Sequence, residues 1–302
     1  MASTPLPART ITFVGVGAIG LPMATQLAAA GHRVTGVDPF PAARERAADA
    51  GISAVESITE APQADTVVVM VATPDQLAEL VTLALAATDP SGQTWIIMST
   101  VGPASVVEQA ARLEAAGAAV VDAPVTGGVA RASTGELTMF VSGSPAATAA
   151  ATEPLAALGT ARIVGEAIGD GQAIKVVNQH LCAVHIAAAA EALALASSLG
   201  LDPAAVLPLV ESGAAASWML SDRGPRMLQD TDAPVMSRVD IFVKDTGLVA
   251  DAASAAGAAT PVLDAARERF LAAAASGLGA RDDSRVIETY QDAGHPRQET
   301  HA

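Results

Sequence analysis

The sequence predicts an α/β protein in two domains: a doubly wound, mostly parallel sheet over residues 1–166, then a long interdomain helix and an all-α remainder over 167–302. Three observations carry this reading. The first 165 or so residues alternate short, continuously apolar runs with alanine-rich helical segments, the pattern of parallel strands covered on both faces. After Gly169–Gly171 the alternation stops, and Ala173 to Leu199 runs without a break. A chain of 302 residues is also longer than one small core organises.

The predicted strands are Ile11–Val14, Val34–Val37, Thr66–Val71, Trp95–Met98, Ala119–Val121, Leu137–Val141 and Arg162–Val164. Between them, segments such as Met23–Ala30 and Ser105–Ala116 repeat apolar residues at helical spacing. The long helix is expected over about 172–199, closed by Gly200 and followed by Pro203. From there to about Tyr290 the chain reads as helix punctuated by glycine and proline, with no clear strand. Residues 1–9 and 291–302 are expected to fray.

Bulk properties exclude several classes of partner. A formal charge of −15, with no basic stripe to offset it, repels nucleic acid and anionic lipid. The most apolar long stretch, Val176–Leu199, is interrupted by Asn178, Gln179, His180, His185 and Glu191, so no membrane span is expected. MASTPLPART has no apolar core of a secretion signal. Cys182 is the only cysteine, which rules out an internal disulfide and suits a reducing cytoplasm. Of 17 basic residues only two are lysine, Lys175 and Lys244. Lysine is the cation whose proton can be made labile; arginine's effectively cannot.

The first strand runs directly into G-V-G-A-I-G. Gly15 permits a tight turn, Gly17 lets the backbone approach a pyrophosphate, and Gly20 allows close helix–strand packing, the Rossmann dinucleotide fingerprint. The following helix would aim its first amides, with Ala18 and Ile19 in the loop before them, at the phosphates. Pro22 falls in the first turn, where a missing N–H matters little. The second strand ends at Asp38, 18 residues after Gly20, where a carboxylate accepts the adenosine ribose hydroxyls and repels a 2′-phosphate. Pro39 and Phe40 follow it rather than arginine, so NAD is expected over NADP. Open α/β sheets bind ligands at the C-terminal ends of their strands. Val71-Ala72, Ser99-Thr100 and Asp122-Ala123 therefore belong to the same crevice, with Thr100 a candidate for the nicotinamide ribose or carboxamide.

At 100° per residue Lys175, Asn178, Gln179, Cys182, Ile186 and Leu193 share one face of the long helix. Only its first turns are polar, which places chemistry at the helix N-terminus, where the positive dipole end disfavours an ammonium. A surface lysine on an amphipathic helix is the commoner meaning of a lone lysine, but this face turns apolar instead of staying solvated. His180 and His185 lie on different faces with no acidic cluster, so no metal is assigned.

Four motifs, in order along nearly the whole chain, resemble the β-hydroxyacid dehydrogenases: FVGVGAIGLPMATQLAAAGH from Phe13, DAPVTGG from Asp122, GDGQAIKVVNQ from Gly169 and VKDTGLVADAA from Val243. The resemblance implies that Thr126, Gly127 and Gly128 form the loop that holds a substrate carboxylate, with Thr126 standing where most relatives have serine. It implies that Lys175 is the catalytic lysine and that Lys244 lies near nicotinamide and substrate. Asn178 and Gln179 both match the family's side-chain amide beside the lysine; Asn178 is preferred as catalytic and Gln179 as substrate-binding. Within the family, CAVHIAAAAEALALA, SWML and VDIFVKDTGLVADAA resemble the branch that oxidises L-threonate. The alternatives are the branches acting on 3-hydroxyisobutyrate or tartronate semialdehyde, an imine reductase, whose group usually lacks the lysine, and a non-catalytic dinucleotide sensor. Arg131 stands where some relatives have glycine and others a basic residue, and is equally an exposed loop residue; Trp218 and Phe242 are candidates to cap the substrate from the helical domain, with core packing the default for both. The alanine-rich helices leave apolar surface for a homodimer or homotetramer.

Overall fold

The computed structural model describes residues 8–291. The tails expected to fray lie almost wholly outside them. In chain order the elements are β1 (Thr10–Val14), α1 (Gly20–Ala29), β2 (Arg33–Val37), α2 (Pro41–Asp49), β3 (Ser53–Val55), β4 (Thr66–Val69), α3 (Pro74–Ala87), β5 (Thr94–Ile97), α4 (Pro103–Ala115), β6 (Ala119–Asp122), β7 (Val125–Thr126), α5 (Gly128–Thr134), β8 (Leu137–Ser142), α6 (Pro145–Leu158) and β9 (Gly159–Gly165). The long helix α7 (Asp170–Ser198) follows, then α8 (Pro203–Glu211), α9 (Trp218–Met227), α10 (Val239–Ala255), α11 (Pro261–Ala273) and α12 (Glu288–Gln291). Proline opens α2, α3, α4, α6, α8 and α11, at the position where its missing N–H has no helical partner to lose.

The sheet order is β3-β2-β1-β4-β5-β6-β8-β7, with β9 on the other side of β8. The pairs from β3 through β6 are all parallel; β8 runs antiparallel to β6 and β7. Reversal of strand order between β1 and β4 makes their C-terminal ends the switch point where such sheets bind ligands. Alternate residues go to opposite faces: Ile11, Phe13, Val68, Ile96 and Met98 join the core under α1 and α6, and Val14, Val67, Val69, Trp95 and Ile97 join the one under α3 and α4. Two strands escape the sequence pattern, β3 and β7, with three and two residues, too short to show any period.

The chain divides into compact units at Lys175/Val176, inside α7 and later than the expected boundary near 166. The reason is local: the first turn of α7 is hydrogen-bonded into the sheet unit through Gly171 and Gln172. In the second unit Ala183, Ile186, Ala190 and Leu193 of α7 pack in a core with Leu207, Phe242 and Phe270. By length and composition α7 is long and apolar enough to cross a bilayer, a test that the core helix of a soluble protein also passes.

Candidate active site

Gly15 takes φ +91°, and a Cβ there would sit 2.3 Å from the Met70 carbonyl oxygen at the end of β4. A Cβ on Gly20 would lie 1.8 Å from the Gly15 carbonyl oxygen. Both positions therefore demand glycine for packing within the unit. Gly17 differs: a Cβ would meet nothing within 4 Å, so its hydrogen leaves open the space that an approaching pyrophosphate needs. Beyond β2 the buried Asp38 carboxylate accepts from the amides of Val16, at 3.1 Å, and Phe40, at 3.0 Å. One donor on each oxygen leaves acceptor capacity for ribose hydroxyls. Arg44 donates to the Asp38 carbonyl and pairs with Glu56 at 3.5 Å. These residues fit a dinucleotide. The amides of Val71 and Ala72 are occupied, by Ser99 Oγ at 2.8 Å and Gln76 Oε1 at 2.8 Å, so neither amide is left for a ligand.

The ends of β5, β6 and β8 converge on the first turn of α7. The Asp122 Oδ2 accepts from the amides of Gly169 (3.2 Å) and Gln172 (3.0 Å) and from Ser142 Oγ (3.2 Å). Helix amides without a helical partner are thus capped by a carboxylate from a distant strand. Ser142 Oγ in turn accepts from the Gly171 amide at 3.0 Å. The Gln172 side chain is used at both ends: Nε2 donates to Asp122 Oδ1 and the Ser99 carbonyl, and Oε1 accepts from the amides of Val101 and Gly102. Asp122, Ser142 and Gln172 are fully buried, and burial pushes the Asp122 carboxyl up to about 6 against the pull of these bonds. Lys175 follows one turn later and is 6% exposed.

The Thr126-Gly127-Gly128 loop joins β7 to α5, with Gly127 at φ +134° and Gly128 at +66°. Gly127 is the N-cap of α5 and supplies no capping side chain. Arg131 is exposed on α5.

In the second unit, Asn178 Nδ2 donates to Gln179 Oε1 at 2.9 Å and to Cys182 Sγ at 3.4 Å. Gln179 Nε2 donates to Asp245 Oδ2, and Lys244 Nζ pairs with Asp245 Oδ1 at 2.8 Å. Asn178, Gln179, Asp245 and Lys244 thus form one polar chain from α7 to α10. Phe242 is core, its ring stacked on Phe270 at 5.0 Å, whereas Trp218 is half exposed with Arg223 over its face. Sequence reasoning missed Gln172, Ser142 and the bridging role of Asp245. Gln172 lies inside a motif already recognised, three residues before Lys175, and that spacing was the available signal.

Comparison with known proteins identifies the family. The family model for the NAD binding domain of 6-phosphogluconate dehydrogenase matches residues 10–169, and that for NAD-binding of NADP-dependent 3-hydroxyisobutyrate dehydrogenase matches 169–290. An L-threonate dehydrogenase of Cupriavidus necator is 39% identical over 93% of this chain and 96% of its own length. One from Escherichia coli is 34% identical over 93% of this chain and 94% of its own. The crystal structure of a 3-hydroxyisobutyrate dehydrogenase from Salmonella typhimurium superposes with a TM-score of 0.85 at 35% identity, covering 93% of this chain and 99% of that one. Sheet order, glycine loop and full-length similarity agree: the chain belongs to the β-hydroxyacid dehydrogenase family of the 3-hydroxyisobutyrate dehydrogenase type and is an NAD-dependent oxidoreductase.

Proposed function

We propose that the chain oxidises L-threonate at its 2-hydroxyl, with Lys175 as the proton acceptor. The observation that carries the chemistry is a buried lysine, one of two in the chain, one turn into a helix whose start is fixed by Asp122 and Gln172. NAD, when bound, supplies the hydride chemistry. Lys175 Nζ takes the hydroxyl proton as the carbinol carbon becomes a carbonyl, and returns it in the reverse direction. Asn178 orients the hydroxyl or the amine, with Gln179 beside it. The Thr126 hydroxyl and the amides of Gly127 and Gly128 hold the substrate carboxylate, at a helix start with no capping side chain. Lys244, paired with Asp245, adds positive charge in an acidic protein.

The choice of substrate rests on the two relatives named L-threonate dehydrogenases. The solved relative named a 3-hydroxyisobutyrate dehydrogenase supports that acid as the second reading. A formal charge of −15 and a single cysteine support a cytoplasmic protein that binds neither anionic membranes nor nucleic acid. It is assigned a homodimer or homotetramer, because α7 leaves Ile174, Val177, Leu181 and Leu195 exposed along one side. A spectrophotometric screen of NAD reduction with L-threonate, 3-hydroxyisobutyrate, D-glycerate, simple alcohols and amines tests the reading. L-threonate is expected to give the highest kcat/KM. Turnover with uncharged alcohols or amines alone would overturn the hydroxy-acid assignment; a higher value for another hydroxy acid would overturn the substrate only.

A further inference from the structure

The buried cluster at the start of α7 has no direct part in the chemistry proposed above, yet it is built with care for polarity. The amide of Gln172 is satisfied four times, each bond with the correct donor and acceptor: Nε2 to Asp122 Oδ1 (3.0 Å) and the Ser99 carbonyl (2.9 Å), Oε1 from the amides of Val101 (3.1 Å) and Gly102 (3.0 Å). No flipped or ionised side chain of this length satisfies the same four partners, since a carboxylate cannot donate and a reversed amide meets two donors with a donor. Ser99–Gly102 is the turn after β5 and contains Thr100, the residue assigned to the nicotinamide end of the cofactor. On its other side Gln172 is clamped through its own backbone amide by Asp122, at 3.0 Å. Lys175 is three residues on, about 4.5 Å along the helix axis and on nearly the same side.

We infer that Gln172, held by Asp122, is a positioning residue that fixes Lys175 relative to the turn Ser99–Gly102, and so sets where the proton leaves relative to where the hydride goes. The inference rests on Lys175 being the proton acceptor. Its physical basis is that a reacting group displaced by about 1 Å loses on the order of 10²-fold in rate even when the change is remote from the chemistry. A helix start hydrogen-bonded only to water would let the first turn fray on that scale. Four bonds from one buried side chain, together with the Asp122 clamp, remove that freedom.

The test is a double-mutant cycle in the full-length enzyme, Gln172→Ala against Lys175→Arg, with kcat at saturating substrates and NADH binding by fluorescence as readouts. Gln172→Ala is expected to lower kcat by about 10²-fold while NADH still binds, and to add nothing in the Lys175→Arg background. A residue serving only the fold would move the melting temperature and lower kcat by the same factor in both backgrounds, which would overturn the inference. If Lys175→Arg alone keeps wild-type turnover, the proton-acceptor reading falls and the positioning role falls with it. A slow Lys175→Arg with an additive cycle overturns the positioning role alone. Should Gln172→Ala not fold, Ser142→Ala removes just the hydroxyl that the Gly171 amide and Asp122 share. It carries the same cycle at smaller amplitude, with the same two opposed outcomes.

Discussion

At the scale of single residues, Lys175 and Asp38 carry the sharpest expectations. Lys175→Arg keeps the positive charge and removes a proton that can be exchanged near neutral pH. General acid–base catalysis contributes roughly 10²–10⁴-fold, so kcat is expected to fall by that order with NADH binding preserved. Lys175→Ala is expected to fall at least as far. Lys244→Arg should be milder, because a guanidinium can keep the ion pair with Asp245 and no proton transfer is assigned to it. Steady-state kinetics with NADH fluorescence titration check all three. Asp38 is the residue proposed to set cofactor choice, its carboxylate held in place by the Val16 and Phe40 amides. A like-charge clash with a 2′-phosphate disfavours NADP by roughly 2–4 kcal/mol. Arg44, the nearby cation, is engaged with the Asp38 carbonyl and Glu56. Equal kcat/KM for the two cofactors would refute the assignment.

Among the elements, the junction of β6 with α7 couples stability to pH. Burial raises the Asp122 carboxyl from 3.8 to about 6. A carboxyl whose folded value is raised binds more protons in the folded state between those values, so its contribution to stability is greatest in acid and declines as pH rises from 4 to 6. The whole decline, from well below the lower value to well above the upper one, is about 3 kcal/mol, of which about 2 kcal/mol falls between pH 4 and pH 6. Urea midpoints for wild type and Asp122→Asn at both pH values read it directly: the difference in stability between the two proteins should shift in favour of the variant as pH rises. No change in that difference would mean that the carboxyl titrates normally. The same junction shows why domain boundaries are hard to read from sequence. Strand pattern ends at β9, but Gly171 and Gln172 belong by their hydrogen bonds to the sheet unit, and a bond between residues some 50 positions apart leaves no periodic trace.

For the molecule as a whole, α7 is the element whose surface is least explained by a single chain. Val177 is 62% exposed and Leu195 56%. Apolar side chains repeated along one side of a long helix are covered in most soluble proteins by another surface, here assigned to a second copy. Light scattering at micromolar concentration is expected to give at least a dimer, and Val177→Glu or Leu195→Glu to weaken it. A monomer under those conditions would reject the assignment.

The sequence by itself determined the sheet's alternation, the glycine loop with its fixed demand for glycine at Gly15 and Gly20, the acidic end of β2 and the position of the two lysines. These are local features: a period of two or 3.6, or a turn that only one residue type can make, is written in neighbouring positions. Tertiary structure alone decided that β8 runs antiparallel, that β3 and β7 exist, that Phe242 packs on Phe270 while Trp218 stays half exposed, and that Gln172 joins Ser99, Val101, Gly102 and Asp122. Each of those depends on pairing between distant segments, where register and burial are set by the assembled core and not by any residue's own preference.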